Sequence, residues 1–164
     1  MKTDCIEKQI LLHASRERVW QAISDSGQFG RWFGVAFDDP FVAGAHLTGR
    51  ITPTTVDAEV ARLQRPHEGR PFEFFVERIE PMQTISFRWH PYAVEPGVDY
   101  SQEATTLIVF QLVEAPDGIL LSISETGFDR IPLERRAKAF AANDAGWGMQ
   151  AKLIEKYLAM QPKE

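Results

Sequence analysis

The sequence predicts an α+β domain in which an antiparallel sheet curves around one long C-terminal helix. Three observations carry this reading. Apolar residues alternate with polar ones in 6–12, 83–90 and 119–125, as in strands with one buried face. Turn residues separate consecutive strand-like runs, which favours hairpins. Residues 132–160 carry apolar side chains at alternating four- and three-residue steps with no proline after Pro132. A sheet and a helix that are each apolar on one side bury those sides against one another, and the sheet must curve to do so.

Taken in order, 6–12 places Ile6, Ile10 and Leu12 on one face together with Lys8. Ser15 is suited to cap a helix in which Val19, Trp20 and Ile23 fall at helical spacing, with its end expected near Gly27. Phe29, Trp32 and Phe33, between Gly27 and Gly34, are too aromatic for a solvated loop and are expected to pack inward. Runs 37–42 and 46–51, broken by Pro40 and Gly44, suggest an irregular hairpin. Residues 53–71 read as an excursion from the sheet with a short helical turn over 56–63. A hairpin follows in 72–79 and 83–90 around Pro81, then a loop over 91–104 with two prolines, Gly97, Tyr92 and Tyr100. A last hairpin joins 105–113 to 119–125 around Pro116, Asp117 and Gly118. The helix over 132–160 presents Leu133, Ala137, Phe140, Asp144, Trp147, Ala151, Ile154 and Leu158 in one stripe, with one charge in it.

At 164 residues, 44% hydrophobic and 25% charged, the chain is expected to fold as one domain over 1–164 without disulfides or metals. The net charge of −5 argues against nucleic acid, which requires clustered Lys and Arg. Arg130, Arg135, Arg136 and Lys138 are interrupted by Glu134 and read as a solvated helix face. Cys5 is the sole cysteine, so no intrachain disulfide forms and a reducing compartment is expected. Residues 1–7 carry charges where a secretory signal would be apolar, and no run reaches transmembrane length. These features predict a cytoplasmic protein without a membrane span.

Several short stretches together resemble the activator of heat-shock-protein-90 ATPase homologue group, within the START-like (SRPBCC, birch-pollen-allergen-like) superfamily. They are Arg18-Val19-Trp20-Gln21-Ala22-Ile23, Arg31-Trp32-Phe33, Phe87-Arg88-Trp89, Glu125-Thr126-Gly127-Phe128 and Gly146-Trp147. The resemblance covers almost the whole chain. It implies a helix-grip fold, with about six antiparallel strands wrapped around the C-terminal helix, and a cavity that in relatives holds lipids, sterols, polyketides or other apolar molecules. Members of the superfamily include binding proteins, cyclases, hydratases and a chaperone activator, so the fold implies no single task. The additional N-terminal domain of the chaperone activator has no counterpart in the sequence, which makes a co-chaperone role the less expected one.

On this fold Trp32, Phe33, Trp89, Phe110, Phe128, Phe140 and Trp147 either line a ligand cavity or fill an ordinary core. Gly146 and Gly148 flank Trp147 at a cost of about 1 kcal/mol each relative to alanine, which points to room for a ligand or a kink, or to close packing of helix on sheet. Asp144 and Glu125 stand in phase with apolar faces. They could orient a polar ligand group or serve as general acid or base, or be hydrogen-bonded near element ends. His13, His46, His67 and His90 fall on separate elements without a metal-ligand spacing, and no phosphate-binding glycine loop occurs, so neither metal nor cofactor is expected. His90 could meet Tyr92 or Tyr100 at the cavity mouth or lie at the surface. The leading expectation is a binding protein for a small apolar or amphipathic molecule, held between the sheet and the last helix. The alternatives are an enzyme using Glu125 or Asp144, and an interaction module using loops 53–71 and 91–104 in a homodimer or toward a chaperone.

Overall fold

The computed structural model describes residues 5–93, 95 and 97–160. Pro96, one of the two prolines expected in loop 91–104, lies outside them, as do residues 1–4 and 161–164. Strand β1 (Cys5–Leu12) turns Ile6 and Leu12 inward, each almost fully buried. Helix α1 (Arg16–Ser24) starts where Ser15 accepts a hydrogen bond from the Arg18 amide at 3.2 Å. It ends at Ser24, three residues before Gly27. Asp25 takes an extended backbone and its carboxylate accepts from the Gln28 amide at 2.9 Å, which starts α2 (Ser26–Phe33) at once. Gly27 is therefore inside a helix. The stop signal is Gly34, at φ 100°, where a side chain would also strike Gln64.

The following hairpin forms earlier than the sequence suggests. Strand β2 (Val35–Phe37) pairs with β3 (His46–Ile51), and the chain leaves the ladder before Pro40, which has no amide to donate. Phe41, beyond the ladder, still reaches the core. The excursion contains α3 (Ala58–Gln64), capped by Asp57, and one 3-10 turn. Strands β4 (Pro71–Glu80) and β5 (Thr84–Trp89) meet through a turn at Met82, φ 67°. Strands β6 (Thr106–Ala115) and β7 (Gly118–Thr126) form the last hairpin. All pairs are antiparallel, in the order β1-β7-β6-β5-β4-β3-β2. The sheet thus has seven strands instead of about six, the short edge strand β2 included.

Helix α4 (Leu133–Met160) lies along the curved sheet and completes an α+β helix-grip fold. Its buried face is Ala139, then Trp147, Gln150, Ala151, Leu153, Ile154, Tyr157 and Leu158. Leu133, placed in the stripe by spacing, is 75% exposed, because the first turn of the helix faces solvent. Helices α1 and α2 brace the other end: Arg18 donates to the Leu158 carbonyl at 2.7 Å and Tyr157 to Gln28 Oε1 at 3.1 Å. Between sheet and helices the space is filled with rings. Phe74 and Phe87 stack at 4.4 Å, Phe29 sits 5.8 Å from Phe110, and Trp32 donates its indole N–H to the Ala22 carbonyl at 2.8 Å. All five are fully buried.

Candidate functional site

The site starts from the alternation of β7. Ile119, Leu121 and Ile123 point into the core, and two residues on the same face holds Glu125, whose exposure is 0%. The ladder places it between Ile6 of β1 and Ile108 of β6, both buried. A carboxylate taken from water into such surroundings is costly unless its oxygens are hydrogen-bonded. Four side chains do this. Trp89 of β5 donates its indole N–H to Oε2 at 2.7 Å and Thr106 of β6 its hydroxyl to the same oxygen at 2.6 Å. Trp147 of α4 donates its indole N–H to Oε1 at 2.8 Å, and Asn143, one turn earlier, reaches both oxygens from Nδ2 at 3.1 Å. Glu125 therefore ties two neighbouring strands and the middle of α4 to one point.

Against this wall lies a cleft of about 70 Å³, lined by Phe33, Trp89, Asn143, Gly146, Trp147 and Gln150 and open on one side. It is much smaller than the cavity expected from the resemblance, since a drug-sized ligand typically occupies roughly 300–1,000 Å³. The aromatic side chains that would have lined a larger void fill it instead. Trp89 and Trp147 stack with centroids 5.6 Å apart, and Phe33 lies 6.1 and 6.0 Å from them. At Gly146 an added Cβ would meet nothing within 4 Å, so the glycine keeps the cleft open and does not serve close packing of helix on sheet. The same open space surrounds Gly148, which does not line the cleft.

Gln150 closes the cleft along the helix. Its Nε2 donates to the Phe33 carbonyl at 3.2 Å, which fixes the amide, and its Oε1 is buried without a hydrogen-bond partner. Such an acceptor is uncommon in a native fold, where buried polar atoms are met by protein groups or by ordered water.

The nine residues singled out from sequence divide into three groups. Phe33, Trp89 and Trp147 line the cleft, and Glu125 stands directly behind it. Trp32, Phe110 and Phe128 are fully buried core, with Phe140 edge-on to Phe128 at 5.2 Å. Asp144 is the correction: it leaves the cleft and pairs with Lys8 at 3.0 Å, 48% exposed. Both charges that interrupt apolar faces, on β1 and on α4, meet each other at the edge of the sheet. Asp144 and Glu125 thus do not converge on one point as a catalytic pair would. His90 lies edge-on to Phe75 at 6.3 Å and does not itself line the cleft. Among the described residues no three His, Cys, Asp or Glu side chains gather as a metal site would require, and no helix is long and apolar enough to cross a membrane.

Sequence reasoning missed Asn143, Gln150 and Thr106. The first two had a signal. Asn143, Gly146 and Gln150 follow one another at three and four residues, which marks a polar and small stripe beside Trp147. Thr106 had none, because its role depends on strand pairing alone.

Residues 13–159 match the family described as Activator of Hsp90 ATPase homolog 1-like protein. Solved structures share the fold. A Mesorhizobium loti protein is 17% identical with a TM-score of 0.69, covering 97% of this chain and 99% of that one. An Arthrobacter aurescens protein is 16% identical with a TM-score of 0.73, covering 98% and 89%. The Aha1 dimer from Colwellia psychrerythraea is 16% identical with a TM-score of 0.67, covering 95% and 96%. No curated protein matches the sequence.

Proposed function

We propose that this chain, which belongs to the Activator of Hsp90 ATPase homolog 1-like family, binds a small amphipathic molecule in the cleft between β5 and α4. The observation that carries the reading is the pairing of an apolar, ring-lined cleft with a buried acceptor, Gln150 Oε1, that no protein group satisfies. Apolar walls with a few convergent polar groups are the usual make-up of a small-molecule site. At about 70 Å³ the cleft admits a few non-hydrogen atoms, and the open side leaves the remainder of the molecule outside. An enzyme acting through Glu125 or Asp144 has less support, because Glu125 is held by four donors and Asp144 is paired with Lys8. An interaction module has less support as well: among the described residues, the exposed large apolar side chains come mostly from separate segments, Val42, Leu63, Val113, Leu133 and Met160, with Tyr92 and Val98 alone sharing a loop. The single cysteine accords with a cytoplasmic setting.

Native mass spectrometry of freshly purified protein tests the reading. A co-purifying small molecule is expected on the unaltered chain and not on Gly146→Leu, whose side chain fills the cleft. A bound molecule retained by Gly146→Leu would move the site elsewhere, and consistent absence from the unaltered chain would count against tight binding.

A second copy of the chain is a further partner we propose, supported by the Colwellia structure being that of a dimer. Sedimentation velocity at several concentrations decides it: a mass of twice the chain is the expected result, and a monomer throughout overturns it.

A further inference from the structure

We infer that the cleft selects the ammonium end of a small primary or secondary amine. The inference rests on the ligand-binding reading above and adds the chemical class. The first observation is Gln150, a cleft-lining residue 9% exposed, whose amide is oriented by Nε2 donating to the Phe33 carbonyl and whose Oε1 is buried without a partner. Only a hydrogen-bond donor satisfies it, so the group that enters carries N–H or O–H.

The second observation is the kind of apolar surface that surrounds this acceptor. Phe33, Trp89 and Trp147 line the cleft with centroids 5.6 to 6.1 Å apart. Aromatic faces carry negative potential and attract cations, tryptophan most strongly.

The third observation is the charge behind the rings. Both indole N–H groups donate to Glu125, and Asn143, the remaining polar lining residue, also spends its Nδ2 there. All four donors to this buried carboxylate are neutral, and among the described residues no Lys, Arg or His forms an ion pair with it. The negative charge therefore remains uncompensated within the wall. An anion bonded to the indole N–H also pushes electron density into the ring, which deepens the attraction of its faces for a cation. With both indole N–H groups and Asn143 Nδ2 turned to Glu125 and one Gln150 N–H spent on the Phe33 carbonyl, the lining side chains offer chiefly acceptors and π faces, which disfavours an anionic ligand.

Size agrees with the assignment. A volume of about 70 Å³ holds an ammonium group with little more than its first carbons, and Gly146 leaves the wall open beside it.

The test is a titration at constant ionic strength with n-butylammonium, n-butanol and n-butyrate, read from the indole N–H resonances of Trp89 and Trp147. n-Butylammonium is expected to bind at least roughly tenfold more tightly than n-butanol, with no saturable shift from n-butyrate. Gln150→Leu is expected to weaken n-butylammonium binding by roughly tenfold. Equal binding of n-butylammonium and n-butanol, or preference for n-butyrate, would overturn the amine assignment and leave the ligand-binding reading standing. Binding by none of the three would overturn both, with ordered water as the occupant of the cleft. Unchanged n-butylammonium binding by folded Gln150→Leu would overturn the part given to Gln150. If that variant does not fold, the comparison of the three probes on the unaltered chain decides.

Discussion

Trp147 donates its indole N–H to Glu125 across 2.8 Å, and this contact joins the middle of α4 to the penultimate residue of β7 inside the core. Together with Trp89, Thr106 and Asn143 it makes the carboxylate a fastening between helix and sheet. Replacing one oxygen by an amide sets two donors against each other in a dry site. Glu125→Gln is therefore expected to destabilise the fold by about 3 kcal/mol, read from the urea unfolding midpoint at constant m-value. Glu125→Leu, which leaves all four donors unpaired, should cost at least as much.

At Gly146 the two consequences of one methyl group have opposite signs. A Cβ there meets nothing within 4 Å, so Gly146→Ala should gain about 1 kcal/mol of helix stability. The same methyl narrows the cleft and should weaken binding of n-butylammonium. Thermal unfolding and the probe titration on the same sample check both; a stabilised variant with unchanged affinity would show that the glycine has no part in the site.

Asp144 lies outside the cleft in an exposed pair with Lys8. Solvent screening limits such a pair, and Asp144→Asn should change stability by less than about 1 kcal/mol. Probe binding should be unaltered. A loss of affinity in that variant would return Asp144 to the site.

Asp57 ties the excursion after β3 to the C-terminal half of α4. Its carboxylate receives Lys156 Nζ at 2.6 Å and caps α3 through the Val60 amide at 3.1 Å. The Lys156 contact first, then the Val60 amide, lowers its pKa below the ordinary 3.8. A carboxyl whose folded pKa is depressed stabilises the fold above its unfolded value, and that contribution is lost as pH falls through the folded value. Asp57→Asn keeps a capping oxygen and removes the charge. Its melting temperature should therefore lie below that of the unaltered chain at neutral pH, and the gap should close in acid below about pH 4.

Much of this architecture is legible in the residues themselves. Alternation placed Glu125 on the inward face of its strand, spacing brought Trp147 to the buried side of the last helix, and the two glycines beside it marked a place where helix propensity yields to space. Local chemistry also located the Ser15 cap and the β4–β5 and β6–β7 hairpins. These are short-range properties, decided by a residue and its neighbours within a turn or a strand pair. Whether the core would leave a large cavity was not of that kind, because it depends on the summed volume of rings arriving from α2, β4, β5 and β6. The fate of the two interrupting acids was not local either. Asp144 and Asn143 are adjacent in the chain but about 100° apart around α4, so one meets Lys8 on the edge strand while the other meets Glu125. The sequence by itself determined the strands from β4 to β7, the first and last helices, and the inward side of β7 and of α4 at Trp147. Only the tertiary structure, by bringing Trp89, Thr106, Asn143 and Trp147 around one carboxylate, decided that Glu125 is a fastening and that Gln150 is the open acceptor beside it.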